Sequence, residues 1–252
     1  LSGALMVSQG LPKSIKKPSF IALAPVFNDK ETSFVNKSCQ RMMEGTRKAD
    51  STSRAFDFDG NYIAPLPATE TEVEQIHKIH ADKDLFAKFF TKENAREELI
   101  KKGELAQYDY IHFATHGIAN SQYPELSGLL LSQEEKGGED GVLYTGEILG
   151  LDLKADLVTL SACETALGKK IEGEGVRGLT SAFLLAGANT VVVSLWKVAD
   201  ESTSLFMIEF YNQLLAGNNK AAALRNAKRK LLKDPQYQHP YYWAPFIQVG
   251  MN

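Results

Sequence analysis

Two apolar runs in this sequence end on a reactive side chain. "YIHFATHG", residues 110–117, carries His116, and "LVTLSACETALG", residues 157–168, carries Cys163. An ordinary thiol, with a pKa of about 8.5, is only a few per cent thiolate at neutral pH, so a cysteine nucleophile needs an imidazole beside it to take the proton. The same imidazole can later protonate a leaving amine. Attack on a carbonyl also builds an oxyanion, which requires donors already in place. The N–H groups of Gly117, whose bare backbone permits close approach, and of Cys163 are the candidates. An arbitrary cysteine and histidine are more often a small buried hydrophobe and a satisfied loop residue. This pair stands out by placement, because each residue leaves a strand-like run and each precedes a loop.

That placement calls for a parallel sheet, where functional groups gather beyond the carboxyl ends of the strands. "DYIHFATHG" (109–117), "ADLVTLSAC" (155–163) and "NTVVVSLW" (189–196) are apolar throughout rather than alternating, as strands covered on both faces must be. Ends of neighbouring strands lie about 5 Å apart, so His116 and Cys163, 47 positions apart, can meet across the top of such a sheet. "SFIALAPV" (19–26) reads as a further buried strand and "LFAKFF" (85–90) as a short one. Helical spacing marks "ATETEVEQIHKIH" after Pro67, with Thr69 or Thr71 as cap. It also marks "TKENAREELIKKG" (91–103), with Thr91 or Asn94 as cap and Gly103 as terminator. Residues 175–187, 200–216 and 219–232 supply three more helices. The expected fold is α/β, a three-layer sandwich with a mostly parallel central sheet and helices on both faces. Residues 28–62 are polar and aperiodic, and we expect a long surface insertion there.

Other reactive residues fit quieter roles. His112 lies inside its strand and is expected to be structural, and Cys39 sits in the polar insertion as a bystander. His77 and His80 share a helix at i, i+3 without a third ligand at metal spacing, so no metal and no cofactor is assigned. "GEGVRG" (173–178) satisfies G-x-G-x-x-G formally. In a dinucleotide site the glycines follow the strand directly, and Glu174 would put a carboxylate where a pyrophosphate belongs. Gly173, Gly175 and Gly178 are read as turn and close helix packing, and the nucleotide-binding alternative is set aside.

Composition bounds the partners. The formal net charge of −3 over 252 residues gives no basic footprint for nucleic acid or anionic membrane. Two cysteines cannot build a disulfide framework, which fits a reducing, cytoplasmic setting. No apolar run of 18 residues and no export leader is visible. The first residue is Leu1 rather than Met, so we expect a fragment or processed piece, read as one domain over 1–252 with a partial N-terminal segment at 1–18.

Five ordered blocks, "YIHFATHG", "LSGLLLS", "LVTLSACETALG", "GEGVRGLTSAFLLAGANTVVVSLWKVADEST" and "HPYYWAPFIQVG", resemble the successive signatures of the CHAT domain, a caspase-like cysteine peptidase domain related to separase. The resemblance runs from about residue 65 to 250. It implies the caspase–haemoglobinase fold, with His116 as general base, Cys163 as nucleophile and a thioester acyl-enzyme. "SLWKVADE" (194–201) is similar to the separase segment carrying an acidic residue in the pocket for a basic P1 side chain, which would make Asp200 the reader of Arg or Lys. Asp200 also opens a helix and could instead cap it. Trp196 in that stretch and Glu164 beside the cysteine complete the expected substrate-binding set. The family often follows tetratricopeptide repeats and includes bacterial peptidases linked to gasdermin activation and CRISPR defence. The implied partners are therefore a protein or peptide substrate and an activating protein or repeat segment. If P1 is basic, Lys169–Lys170, Arg47–Lys48 and Arg54 are candidate self-processing sites. The alternative is a CHAT-type interaction module that binds proteins without cutting them.

Overall fold

The structure, a computed structural model, describes residues 17–26, 66–118, 125, 127–132, 138–161 and 174–251. In chain order its strands are β1 (Phe20–Ala24), β2 (Ala87–Thr91), β3 (Tyr110–Phe113), β4 (Gly117–Ile118), β5 (Gly128–Leu130), β6 (Val142–Tyr144), β7 (Leu157–Leu160), β8 (Thr190–Ser194) and β9 (Phe246–Gly250). The helices are α1 (Pro67–Ala81), α2 (Glu97–Lys101), α3 (Thr145–Ile148), α4 (Glu174–Leu185), α5 (Asp200–Leu215) and α6 (Lys220–Lys233). Six strands form the central sheet in the order β2-β1-β3-β7-β8-β9. All pairs are parallel except β8 with β9.

The unbroken apolar runs have a simple cause. Successive side chains point to opposite faces, and both faces are covered. Ile21, Leu23, Ile111, Phe113, Val158, Leu160, Val191 and Val193 pack with Ile100, Ile148, Leu179 and Phe183 from α2, α3 and α4. The alternate residues Phe20, Ala22, Leu157 and Val192 pack with Val73, Ile76, Phe206, Phe210 and Leu231 from α1, α5 and α6. Each large apolar side chain so buried contributes about 1.5–3 kcal/mol. The three-layer α/β sandwich expected from periodicity is the one observed.

Local details differ where distant pairing overrides local pattern. The strand expected over 109–117 leaves the central sheet after Phe113 and re-enters structure at Gly117, in a separate antiparallel sheet of order β4-β5-β6. The helix expected over 91–103 is split into a 3₁₀ turn at Lys92–Asn94 and the short α2. Its break lies at Ala95 and Arg96, where Arg96 bridges to Ser132 and the Ser132 N–H donates to the Ala95 carbonyl at 2.9 Å. Neither Thr91 nor Asn94 caps α2, whose N-cap is Arg96. Neither Thr69 nor Thr71 caps α1 either. Its N-cap is Leu66, and the Thr69 hydroxyl donates to the Leu66 carbonyl at 2.6 Å.

Gly187 ends α4 at φ +108°, and a Cβ there would meet the Leu153 carbonyl, so only glycine fits. At Gly178, inside α4, an added Cβ would meet nothing within 4 Å among the described residues. Residues 28–62 and Cys39 lie outside the described residues, as does Gly173.

Candidate active site

His116 stands where the chain passes between the two sheets. β3 ends at Phe113, the Ala114 N–H donates to the Leu23 carbonyl at 2.9 Å, and the next residues bind the small sheet. The Thr115 hydroxyl donates to the Leu130 carbonyl at 2.5 Å, and the Leu130 N–H donates to the His116 carbonyl at 2.9 Å. His116 is 3% exposed. Its backbone is therefore held by β5 on one side and by β3 on the other.

Gly117 pairs with Leu129, and the Leu130-to-His116 bond flanks that pair. A pair flanked in this way is a non-hydrogen-bonded one, so the Gly117 N–H is directed away from β5. That amide is therefore not used in pairing with β5.

β7 lies beside β3 with Tyr110 opposite Leu157 and Phe113 opposite Leu160, an offset of 47 residues. The interval between His116 and Cys163 is the same. The Ser161 N–H donates to the Phe113 carbonyl at 3.0 Å and continues the ladder one step further. Cys163 and Glu164 lie outside the described residues, as do Lys169–Lys170, Arg47–Lys48 and Arg54.

β8 is the next strand across, about 10 Å from β3 at normal strand spacing. After it come Trp196, 36% exposed, whose indole N–H donates to the Tyr241 carbonyl at 3.1 Å, and then Asp200. Asp200 is the first residue of α5 but does not cap it, since the N-cap is Ala199 and no side chain bonds there. Its Oδ2 instead accepts the Ala68 N–H at 2.7 Å. Asp200 thus caps α1, the helix whose own N-cap, Leu66, has no side-chain acceptor. Burial, with repulsion from Glu72, pushes its pKa up to about 6 against the Ala68 hydrogen bond.

Behind these residues is a buried polar group that the sequence reading missed in part. His112 is structural as expected: fully buried, its Nε2 lies 2.6 Å from Glu72 Oε1, and its Nδ1 lies 3.3 Å from the Tyr211 hydroxyl. Tyr211 Oη is also 3.0 Å from Thr159 Oγ1. Glu72 was not anticipated. The signal was present, since Glu72 falls on the same stripe of α1 as the buried Thr69, Val73, Ile76 and His80. His80 stacks on Phe20 with centroids 4.4 Å apart, its Nδ1 lies 2.8 Å from the Ile76 carbonyl, and burial lowers its pKa to about 4. His77, on the same helix, tilts against Phe89 of β2. Among the described residues no three His, Cys, Asp or Glu side chains are grouped to hold a metal ion. Nor is any described helix long and apolar enough to cross a membrane.

The family profile of the CHAT domain matches residues 19–251. The chain belongs to the CHAT domain family. This CHAT domain is 28% identical over 219 residues to human tetratricopeptide repeat protein 28, across 75% of this chain and 8% of that protein. Its mouse counterpart is 27% identical over 224 residues, across 75% and 9%. The CHAT domain thus spans under a tenth of the curated relatives it matches. Among solved structures, the separase–securin complex of Saccharomyces cerevisiae aligns over 94% of this chain and 12% of that one, with 15% identity and a TM-score of 0.47.

Proposed function

We propose that this CHAT domain is a caspase-like cysteine endopeptidase. Cys163 attacks a peptide carbonyl, the S–C bond forms, and His116 holds the thiol proton until it passes to the amine leaving with the broken C–N bond. Water, deprotonated by His116, then hydrolyses the thioester. The N–H groups of Gly117 and Cys163 receive the oxyanion. The observation that carries this reading is the register of β3 and β7, whose 47-residue offset equals the His116–Cys163 interval in a chain of this family.

Asp200 is proposed to read a basic P1 side chain. One carboxylate oxygen is occupied by Ala68, and a carboxylate offers lone pairs on both oxygens for a guanidinium or ammonium. Trp196 and Glu164 are proposed as further substrate contacts. We also propose a protein substrate, cytoplasmic action and switching by a protein partner or tetratricopeptide segment. The burial of His116 supports such switching, since a substrate must reach it. A bacterial-defence setting, gasdermin- or CRISPR-linked, is proposed on family resemblance alone.

The same burial favours one second reading, an interaction module that binds proteins without cutting them. The deciding experiment incubates the chain, with and without its genomic neighbours' products, and maps new N-termini by sequencing. Cys163→Ala and His116→Ala should each lower cleavage by about a thousandfold or more with unchanged thermal melting. Turnover retained in either variant would remove the dyad. Absence of both cleavage and acyloxymethyl ketone labelling at Cys163, with a bound partner present, would establish the second reading.

A further inference from the structure

We propose that Glu97 is a positioning residue for His116, acting through a hydrogen-bonded relay that crosses the small sheet. Glu97, on α2, is 1% exposed, and its Oε2 accepts the Gly141 N–H at 3.0 Å. The Gly141 carbonyl accepts the Leu131 N–H at 2.7 Å. One peptide unit away, the Leu130 N–H donates to the His116 carbonyl at 2.9 Å, and the Leu130 carbonyl accepts the Thr115 hydroxyl at 2.5 Å. A buried carboxylate on one side of the small sheet is thus linked, through Gly141 and β5, to the backbone that carries His116 and Gly117. Gly141 has φ +77°, a conformation that L side chains rarely adopt, so the turn presenting its N–H to Glu97 is particular to glycine.

Lys101 holds this arrangement in place. Its ammonium lies 2.7 Å from Glu97 Oε1, 2.5 Å from Glu139 and 2.7 Å from Glu147, and Glu147 Oε2 accepts the Tyr144 N–H at 2.9 Å. Both flanks of β6 are thereby drawn onto α2. A second tie runs to the end of β5, where Ser132 donates its N–H to the Ala95 carbonyl and its hydroxyl to the Lys92 carbonyl. Burial raises the Glu97 pKa, with the Lys101 hydrogen bond opposing it. Placing a carboxylate here costs desolvation that an apolar residue would avoid. The return is directional: a fixed acceptor sets where Gly141, and through it β5, must lie.

The kinetic consequence rests on the peptidase reading, and the structural one does not. The test therefore has two arms, run on the full chain as wild type, Glu97→Ala and Glu97→Gln. In the first arm, amide hydrogen exchange followed by NMR should show Leu130 and Leu131 exchanging about tenfold faster in Glu97→Ala, with Val158 and Val192 unchanged. Glu97→Gln, whose amide oxygen still accepts from Gly141, should stay within about threefold of wild type. In the second arm, on a cleaved protein substrate, Glu97→Ala should lower kcat about tenfold or more with KM within about twofold, and Gln should restore most of the loss.

Unchanged exchange at Leu130 in Glu97→Ala would overturn the relay, as would equal loosening of β7 and β8 or a change confined to KM. A wild-type chain that neither cleaves nor takes an acyloxymethyl ketone label at Cys163 with a bound partner present would defeat the peptidase reading while the exchange arm still decides the relay. If Glu97→Ala does not fold, Lys101→Met, which removes the three-carboxylate clamp, replaces it and is expected to give the same selective pattern.

Discussion

On the α4 face of the central sheet, Ile21, Leu23, Ile111, Phe113, Val158 and Leu160 are buried without a polar atom among their side chains. On the α5 face, the alternate positions of the same strands include His112 and Thr159, set against Glu72, His80 and Tyr211. Both faces exclude water from the same strands. The first does so by dispersion and apolar burial, which are tolerant of direction. The second adds hydrogen bonds that are satisfied in one arrangement only, so it fixes how α1 and α5 sit on the sheet at an energetic cost. That cost is visible in Glu72 Oε2 and His80 Nε2, both buried with no hydrogen-bond partner among the described residues. The lesson is that an ionisable group within a core can serve geometry, as His112 does, while the residue proposed for chemistry, His116, lies four positions further on, beyond the strand end.

The largest expected effect probes the apolar face. Phe113→Ala should cost about 3–5 kcal/mol in urea unfolding, because the ring packed against Phe183 leaves a cavity that the sheet cannot close. A loss below about 1 kcal/mol would show that this face is loosely packed and would break the contrast.

Next in size is an acid effect confined to the α5 face. His80 is neutral in the fold, with its pKa lowered to about 4 from 6.5. Its neutral burial contributes stability that is fully present above pH 6.5 and lost as pH falls through that value toward 4, by roughly 3 kcal/mol at most. Melting temperatures from pH 7 to 4 should therefore fall more steeply for wild type than for His80→Leu. Parallel curves would mean that the ring gains a proton without penalty, contradicting its burial.

The smallest effect sharpens the distinction between polar fixing and simple burial. Glu72→Ala leaves His112 Nε2 without its acceptor and should cost roughly 1–3 kcal/mol. Adding His112→Leu should recover much of that loss, since a buried polar pair replaced by apolar residues is often neutral or better. A double-mutant cycle measures the coupling, and additive losses would mean that the 2.6 Å contact contributes nothing directional.

Much of the fold was legible because it depends on local periodicity. The buried strands at Phe20–Ala24, Tyr110–Phe113, Leu157–Leu160 and Thr190–Ser194, and the helices at α1, α4, α5 and α6, follow from runs and spacings a few residues long. β5 and β9 lie inside family blocks without being read as strands, and β6 lies in none of those blocks, because runs of three to five residues carry no clear periodicity of their own. The cap supplied by Asp200 to α1 was not legible either. Its partner, Ala68, is 132 residues away, and the sequence offered nearer roles for both ends.

The amino-acid sequence alone determined the layer architecture, the membership of the CHAT family and the pairing of "FATHG" with "SACETALG" as the stretches of interest. Apolar runs and short motifs carry that information in neighbouring residues. Tertiary structure alone decided the β3–β7 register, the break at Ala95–Arg96 forced by Ser132, the choice of Glu72 as partner for His112, and the path from Glu97 through Gly141 to His116. Each of these joins backbone or polar groups dozens of residues apart. A hydrogen bond chooses its partner by position in space, and that position exists only once the layers have packed.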